Sequence, residues 1–300
     1  MPKPLRLALA LSVITLTPFG FAPARADGLN VVASFSIIGD FVGNVGGDRV
    51  GVTTLVGPNS DAHVYVPTPS DAKKVADAKL VFVNGLGFEG WMSRLVQSSG
   101  SKAIVVVAST NITPLKLGSS TDPHAWQTVT NAKTYVHNIR IALSAAAPAD
   151  AAFFQANAEA YRVKLEALES EIGLWVVNIP PEHRKVISTH TAFGYFAKAY
   201  GIEFIAPRGV STESEPSARD IAGIITQIKT RKIPAVFLEN ISDPRLIERI
   251  AAETGARVGG TLYSDSLTDE KGDAPTYIDM VRHNIRTLRN GIGQGPGPTR

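Results

Sequence analysis

The chain has 300 residues, 44 % hydrophobic and 19 % charged, and contains no cysteine. That apolar content excludes a disordered chain, and the missing cysteine excludes disulfide frameworks, zinc ribbons, iron–sulfur clusters and cysteine nucleophiles. The formal charge of +3 hints at nucleic acid, but the excess is confined to the extreme N-terminus.

Residues 1–26 read as a cleavable signal peptide. Lys3 and Arg6 precede an apolar run at 7–17, and Ala24-Arg25-Ala26 offers a small-x-small cleavage site before Asp27. Removing Lys3, Arg6 and Arg25 leaves 27 groups of each sign, so nucleic acid is not expected as a partner. No later stretch holds about 18 apolar residues in a row, as a membrane span requires. With no cysteine to carry a lipid, the expected product is free in the periplasm and not a lipoprotein.

From residue 27 onward, short β-branched runs alternate with helical periodicity, the pattern of parallel βαβ units. In the first half, strands are expected at 29–34, 50–56, 80–84 and 103–108, and helices at 37–45, 70–77 and 89–98. A further helical pattern covers 132–144. Asp150 is placed to cap a long helix over 151–177, whose apolar residues Phe154, Ala158, Tyr161, Leu165, Leu168, Ile172 and Trp175 alternate at spacings of four and three. Pro180-Pro181 ends it. At about 1.5 Å per residue it measures about 40 Å, enough to run along two lobes as a stiff connector that resists large domain closure. In the second half, strands are expected at 185–189, 203–206, 235–239 and 257–260, and helices at 193–200, 217–230, 244–254 and 276–290. Residues 291–300 read as a frayed Gly/Pro tail. A faint echo links Pro69-Ser70-Asp71, leading to Lys79–Asn84, with Pro216-Ser217-Ala218, leading to Ala235–Asn240. The expected fold is α/β: two parallel-sheet lobes, at 27–149 and 180–300, joined by a linker helix at 150–179, with a site in the cleft between them.

Six histidines carry the chemistry. His137 and His283 fall within helical patterns and His183 follows Pro180-Pro181, so these three read as packing or surface residues. His63 lies in a loop beyond the strand at 50–56, and His190 directly follows the strand ending at Thr189. These are the carboxyl ends of strands, where α/β sheets bind ligands. His124 sits in Asp122-Pro123-His124-Ala125-Trp126. Asp61 and Asp122 lie two residues before His63 and His124, placed either to accept an imidazole N–H or to cap the following turn. Spacing alone makes three histidines about 60 residues apart a weak metal signal.

Four stretches add to it. Gly57-Pro58, Asp61-Ala62-His63-Val64-Tyr65 and Pro67-Thr68-Pro69-Ser70-Asp71 resemble the first-ligand motif of the zinc/manganese solute-binding proteins of ABC importers. Asp122–Trp126 resembles the second. Ser188-Thr189-His190 with Phe193–Phe196 resembles the third, and Thr261–Leu267 with Ala274–Tyr277 the fourth. The resemblance implies one ion held by His63, His124, His190 and Asp265, and delivery to an inner-membrane ABC permease by a monomer, with a periplasmic metallochaperone as a possible supplier. Three imidazoles and one carboxylate favour Zn2+ over Mn2+ or Fe2+, which take harder donor sets. The stretch Thr113–Thr121 departs from the zinc pattern, since many zinc-type relatives carry a His- and acid-rich loop there.

The rival reading is a zinc-dependent hydrolase, with Glu239 as general base for a metal-bound water; the favoured alternative for Glu239 is a structural carboxylate that hydrogen-bonds loop amides between the lobes. A fourth protein ligand at Asp265 would close the open coordination position that such an enzyme needs, so no catalytic residues are expected. No P-loop is present, which separates the chain from an ATPase subunit.

Overall fold

The computed structural model describes residues 28–293; the expected signal peptide, its cleavage point and residues 294–300 of the tail lie outside them. The first lobe is built on β1 (Leu29–Phe35), α1 (Ser36–Gly46), β2 (Val50–Val56), α2 (Pro69–Ala76), β3 (Leu80–Val83), α3 (Met92–Ser99) and β4 (Ile104–Val107). Its four strands are parallel in the order β2-β1-β3-β4. A small antiparallel hairpin follows, β5 (Leu115–Leu117) and β6 (Ser120–Asp122), then α4 (Val129–Ala146) and the long α5 (Ala151–Val176). The second lobe contains β7 (Lys185–Ile187), α6 (Gly194–Tyr200), β8 (Glu203–Ile205), α7 (Ala218–Arg231), β9 (Ala235–Glu239), α8 (Arg245–Thr254), β10 (Arg257–Leu262) and α9 (Tyr277–Ile292). Its strands, also parallel, lie in the order β10-β9-β7-β8, which repeats the first sheet's order.

Helix starts follow from side-chain caps. Thr68 and Ser217 form capping boxes with Asp71 and Asp220, and Thr128 and Thr276 accept the amides of Asn131 and Asp279. The internal echo is therefore real in topology, because α2 and α7 each lead to the third strand of a sheet. It is two residues out of register, since the caps are Thr68 just before Pro69 and Ser217 just after Pro216.

Four local expectations change. Asp150 makes no capping hydrogen bond; a 3-10 turn at Pro148–Asp150 leads into α5, and the carboxylate faces Arg49 Nη1 at 3.8 Å. Val176, rather than Trp175, ends the buried stripe of α5. The helix expected from Glu89 begins at Met92, because the Glu89 side chain folds back onto the amides of Asn84 and Gly85. Gly291 and Ile292 belong to α9 and are buried: a Cβ at Gly291 would lie 2.4 Å from the Phe237 ring.

Helix α5 packs on α1 and α4 of the first lobe and on α6 and α9 of the second. Its buried residues join a core that runs without a break from Val31 through Phe154 and Leu165 to Tyr277 and Ile292. A separate, smaller core of Ile187, Ile224, Ile228, Val236, Ile247 and Ile250 lies between α7, α8 and the second sheet. Among the described residues, no helix is long and apolar enough to cross a membrane.

Candidate metal centre

Each of the four expected ligands follows the carboxyl end of a strand. His63 is in the loop after β2, His124 two residues past β6, His190 three past β7 and Asp265 three past β10. The fold brings all four together, with their ligand atoms within 4.8 Å of one another. His124 Nε2 is 3.3 Å from both His63 Nε2 and His190 Nε2. Asp265 Oδ2 lies 3.3 Å from His63 Nε2 and 3.1 Å from His190 Nε2, and Oδ1 lies 3.6 Å from His124 Nε2. Donors about 2.0–2.2 Å from a common ion stand about 3.3 Å apart, so these five spacings suit one bound divalent ion.

Burial makes the cluster costly without a cation. His124, His190 and Asp265 are fully buried, and neither oxygen of Asp265 has a hydrogen-bond donor. Burial on its own opposes charge on every group here. The Asp265 carboxylate nevertheless holds His124 above the ordinary histidine range, and together with Glu239 it holds His190 well above that range. The two imidazoles in turn overcome the burial of Asp265 and hold it well below the usual carboxylate range. Positive charge is what this pocket favours.

The surrounding carboxylates divide their work. Asp122 Oδ1 lies 2.7 Å from His124 Nδ1 and also accepts the His124 amide at 3.0 Å, so it fixes the ring with Nε2 facing inward. A side chain at position 194 would spoil this, since a Cβ on Gly194 would sit 2.3 Å from Asp122 Oδ2. Glu239 Oε1 accepts the amides of Thr189 (2.7 Å) and His190 (3.0 Å), while Oε2 stands 2.6 Å from His190 Nδ1, a close ion-pair contact off the line of an aligned hydrogen bond. Glu239 is thus committed to the His190 backbone and ring, away from the role of a base. Asp61 leaves the His63 ring alone: Oδ1 accepts the His63 amide (2.9 Å) and Oδ2 the Thr212 hydroxyl (2.6 Å). His183 and His283 lie outside the cluster, as does His137 on α4.

Several residues invisible to spacing complete the site. The Phe88 ring meets His63 edge-on at 4.6 Å, and Trp126 meets His124 at 5.3 Å, covering the imidazoles with apolar surface. Trp126 Nε1 and Gln127 Nε2 both donate to the Ser264 carbonyl, at 2.9 and 2.7 Å, beside Asp265. Trp126 lies within the Asp122–Trp126 motif, while nothing in the spacing of the sequence marks Phe88 or Gln127.

A two-lobed α/β protein with a buried three-histidine, one-carboxylate cluster between its sheets is a carrier of a divalent ion in design. Residues 31–291 match the family described as "Zinc-uptake complex component A periplasmic". The chain is 36 % identical over 269 residues to the manganese-binding lipoprotein MntA of Halalkalibacterium halodurans, covering 89 % of this chain and 90 % of MntA. It is 35 % identical over 274 residues to the iron-binding protein YfeA of Yersinia pestis, covering 90 % and 88 %. The solved periplasmic zinc-binding protein TroA of Treponema pallidum superposes with a TM-score of 0.85 at 31 % identity, covering 88 % of this chain and 99 % of TroA. The chain belongs to this family, the metal-binding solute-binding proteins of ABC importers. Its members are transporter subunits rather than enzymes.

Proposed function

We propose that the protein captures Zn2+ outside the cytoplasm through His63, His124, His190 and Asp265 and hands it to the permease of an ABC importer. The observation that carries this reading is Asp265: a fully buried carboxylate with no hydrogen-bond donor, faced by three imidazole nitrogens. Relatives are named for manganese, iron and zinc, so the choice of zinc rests on the donor set. Imidazole-rich sites suit zinc, while manganese gains from added oxygen donors. One feature favours Mn2+ or Fe2+ as a second reading. Both oxygens of Asp265 face the cluster, and bidentate binding would raise the coordination number to five.

The signal-like residues 1–26 support export to the periplasm, and the cysteine-free sequence supports a free protein, in contrast to MntA, which is named a lipoprotein. Lobes at 27–149 and 180–300 about the linker at 150–179 remain the working division. We infer a monomer that meets the permease directly or after loading by a metallochaperone. Competition titration of chelator-stripped protein with Zn2+, Mn2+ and Fe2+ tests the reading. One-to-one binding with zinc tightest is expected; manganese or iron winning overturns the zinc choice, and no uptake of any of the three overturns the function. Ester or peptide hydrolysis by the zinc-loaded protein would revive an enzyme.

A further inference from the structure

Of the four ligands, only His63 has any solvent exposure, 8 % against zero for the others. His63 is thus the ligand nearest to solvent. The loop 206–217, which connects β8 to α7, reaches Asp61, two residues before His63. At its start the loop is zipped to the segment bearing His190. His190 and Arg208 are parallel bridge partners, the Thr191 amide donates to Gly209 O at 3.0 Å, and the Thr191 hydroxyl donates to Arg208 O at 2.9 Å. Further along, the buried Thr212 hydroxyl donates to Asp61 Oδ2, whose partner oxygen holds the His63 amide. Among the described residues, this is the single hydrogen bond from the loop to the first lobe.

We propose that Thr212 is a positioning residue that sets how long the ion stays, closing the mouth over His63 through Asp61 without touching the metal. The inference rests on the metal-binding reading above. Its logic is the route of the contacts: His190, loop, Thr212, Asp61 and His63 form one chain that joins ligands of opposite lobes outside the coordination shell. The bond is charge-assisted and mostly shielded from water, so losing it removes a substantial part of the loop's hold. The remaining anchors of the loop belong to the second lobe and would move with it.

The test measures release of bound Zn2+ and Co2+ into excess chelator by stopped flow, using the full chain. Thr212→Val keeps the shape and deletes the hydroxyl; release is expected to be at least about fivefold faster, with association altered less than about twofold. The Co2+ absorption spectrum stays as in the wild type, because the ligands are unchanged. Thr212→Ser restores slow release. Asp61→Asn keeps an acceptor for the His63 amide and leaves only a neutral contact to Thr212, so it releases faster by a smaller factor than Thr212→Val and guards against a Thr212→Val chain that fails to fold. Wild-type release rates in Thr212→Val, a shifted Co2+ spectrum, or no rescue by serine each overturn the proposal. Wild-type protein that binds no metal overturns the functional reading and this inference with it; a wild type that binds while Thr212→Val releases normally overturns this inference alone.

Discussion

The strands β2-β1-β3-β4 of the first lobe and β8-β7-β9-β10 of the second follow the same order, and the equivalence reaches single residues. Asn84 and Asn240 both follow a third strand. Asn84 Nδ2 donates to Pro123 O, next to His124; Asn240 Nδ2 donates to Ser266 O, next to Asp265. Yet the lobes do not hold the site equally. Asp265 belongs by chain position to the second lobe, and beyond the Asn240 bond its segment is also fastened to the first. Trp126 and Gln127 hold Ser264 O, the Ser36 hydroxyl holds the Leu267 amide at 2.9 Å, and Leu267 O takes the Asn59 amide at 2.9 Å. His190 instead rests on Glu239 of its own lobe. The lesson is that repeated topology does not fix which parts are bound together. His63, His124 and Asp265 form one braced set, and His190 is joined to it less directly, through Thr212 and Asp61 and through Tyr195 on Asp122 O.

The largest effects should come from the ligands. Asp265→Ala deletes the only carboxylate of the braced set and should weaken zinc at least about 100-fold, beyond the usual range for residues that merely support a ligand. His190→Ala should cost at least about tenfold and leave a three-donor site that still binds. Isothermal titration with a competing chelator measures both, and a larger loss in His190→Ala than in Asp265→Ala would break the comparison. Next comes Glu239→Gln, which keeps an acceptor for the Thr189 and His190 amides but removes the charge beside Nδ1. About tenfold weaker zinc is expected, and wild-type affinity would mean that Glu239 serves the backbone alone.

Much of this arrangement was legible in the residues. Periodicity placed the strands and α5 because parallel strands buried on both faces read as apolar runs, and because a helix facing two lobes keeps one long stripe. His63, His124 and His190 stood out by their position after strands and by motif resemblance; Asp265 stood out by resemblance alone. What could not be read was long-range. Nothing local tells that Asp61 would reach Thr212, 151 residues away, or that Trp126 would hold Ser264. The short β5–β6 hairpin also escaped, since three-residue strands around Gly118-Ser119 carry too little alternation to show. Asp150 is the reverse case: a residue with good capping chemistry was drawn off by a 3-10 turn and the neighbouring Arg49.

A smaller effect follows from proton competition, and it draws on one imidazole from each lobe. Without metal, neighbouring carboxylates raise His124 and His190 above 6.5 although burial works against them. A raised histidine contributes folding stability that is complete below its unfolded value, about 6.5, and is lost as pH climbs through the folded value. Asp265, lowered from 3.8, contributes above that value and loses it only in strong acid, outside this window. Metal replaces the lost protons. The melting-temperature gain from saturating Zn2+ should therefore grow from pH 6 to pH 8, by at least about 3 °C for a chain of this size. Zinc affinity should fall over the same range in the acid direction. A gain that shrinks with pH would mean that the metal-free protein holds no protons there for the metal to displace.

The smallest effect lies at a seam remote from the ion. Asp40 on α1 accepts the Tyr277 amide at the start of α9 (3.1 Å), the Tyr161 hydroxyl (3.3 Å) and the Asn44 amide group (3.1 Å). A carboxylate at a helix N-terminus is normally favoured, but burial outweighs these donors and pushes Asp40 up to about 6. A raised acid contributes stability that is complete below 3.8 and is lost as pH rises through about 6, so the wild type carries a penalty at neutral pH. Asp40→Asn keeps an acceptor for Tyr277 and removes the charge. It should raise the melting temperature at pH 7.5 by about 2–4 °C and flatten the stability profile between pH 4 and 6. Because α1 and α9 belong to the continuous core that also contains α5, the exchange should leave zinc affinity and release untouched. Faster release in Asp40→Asn would place the moving boundary at the α1–α9 seam instead of between His190 and the braced set.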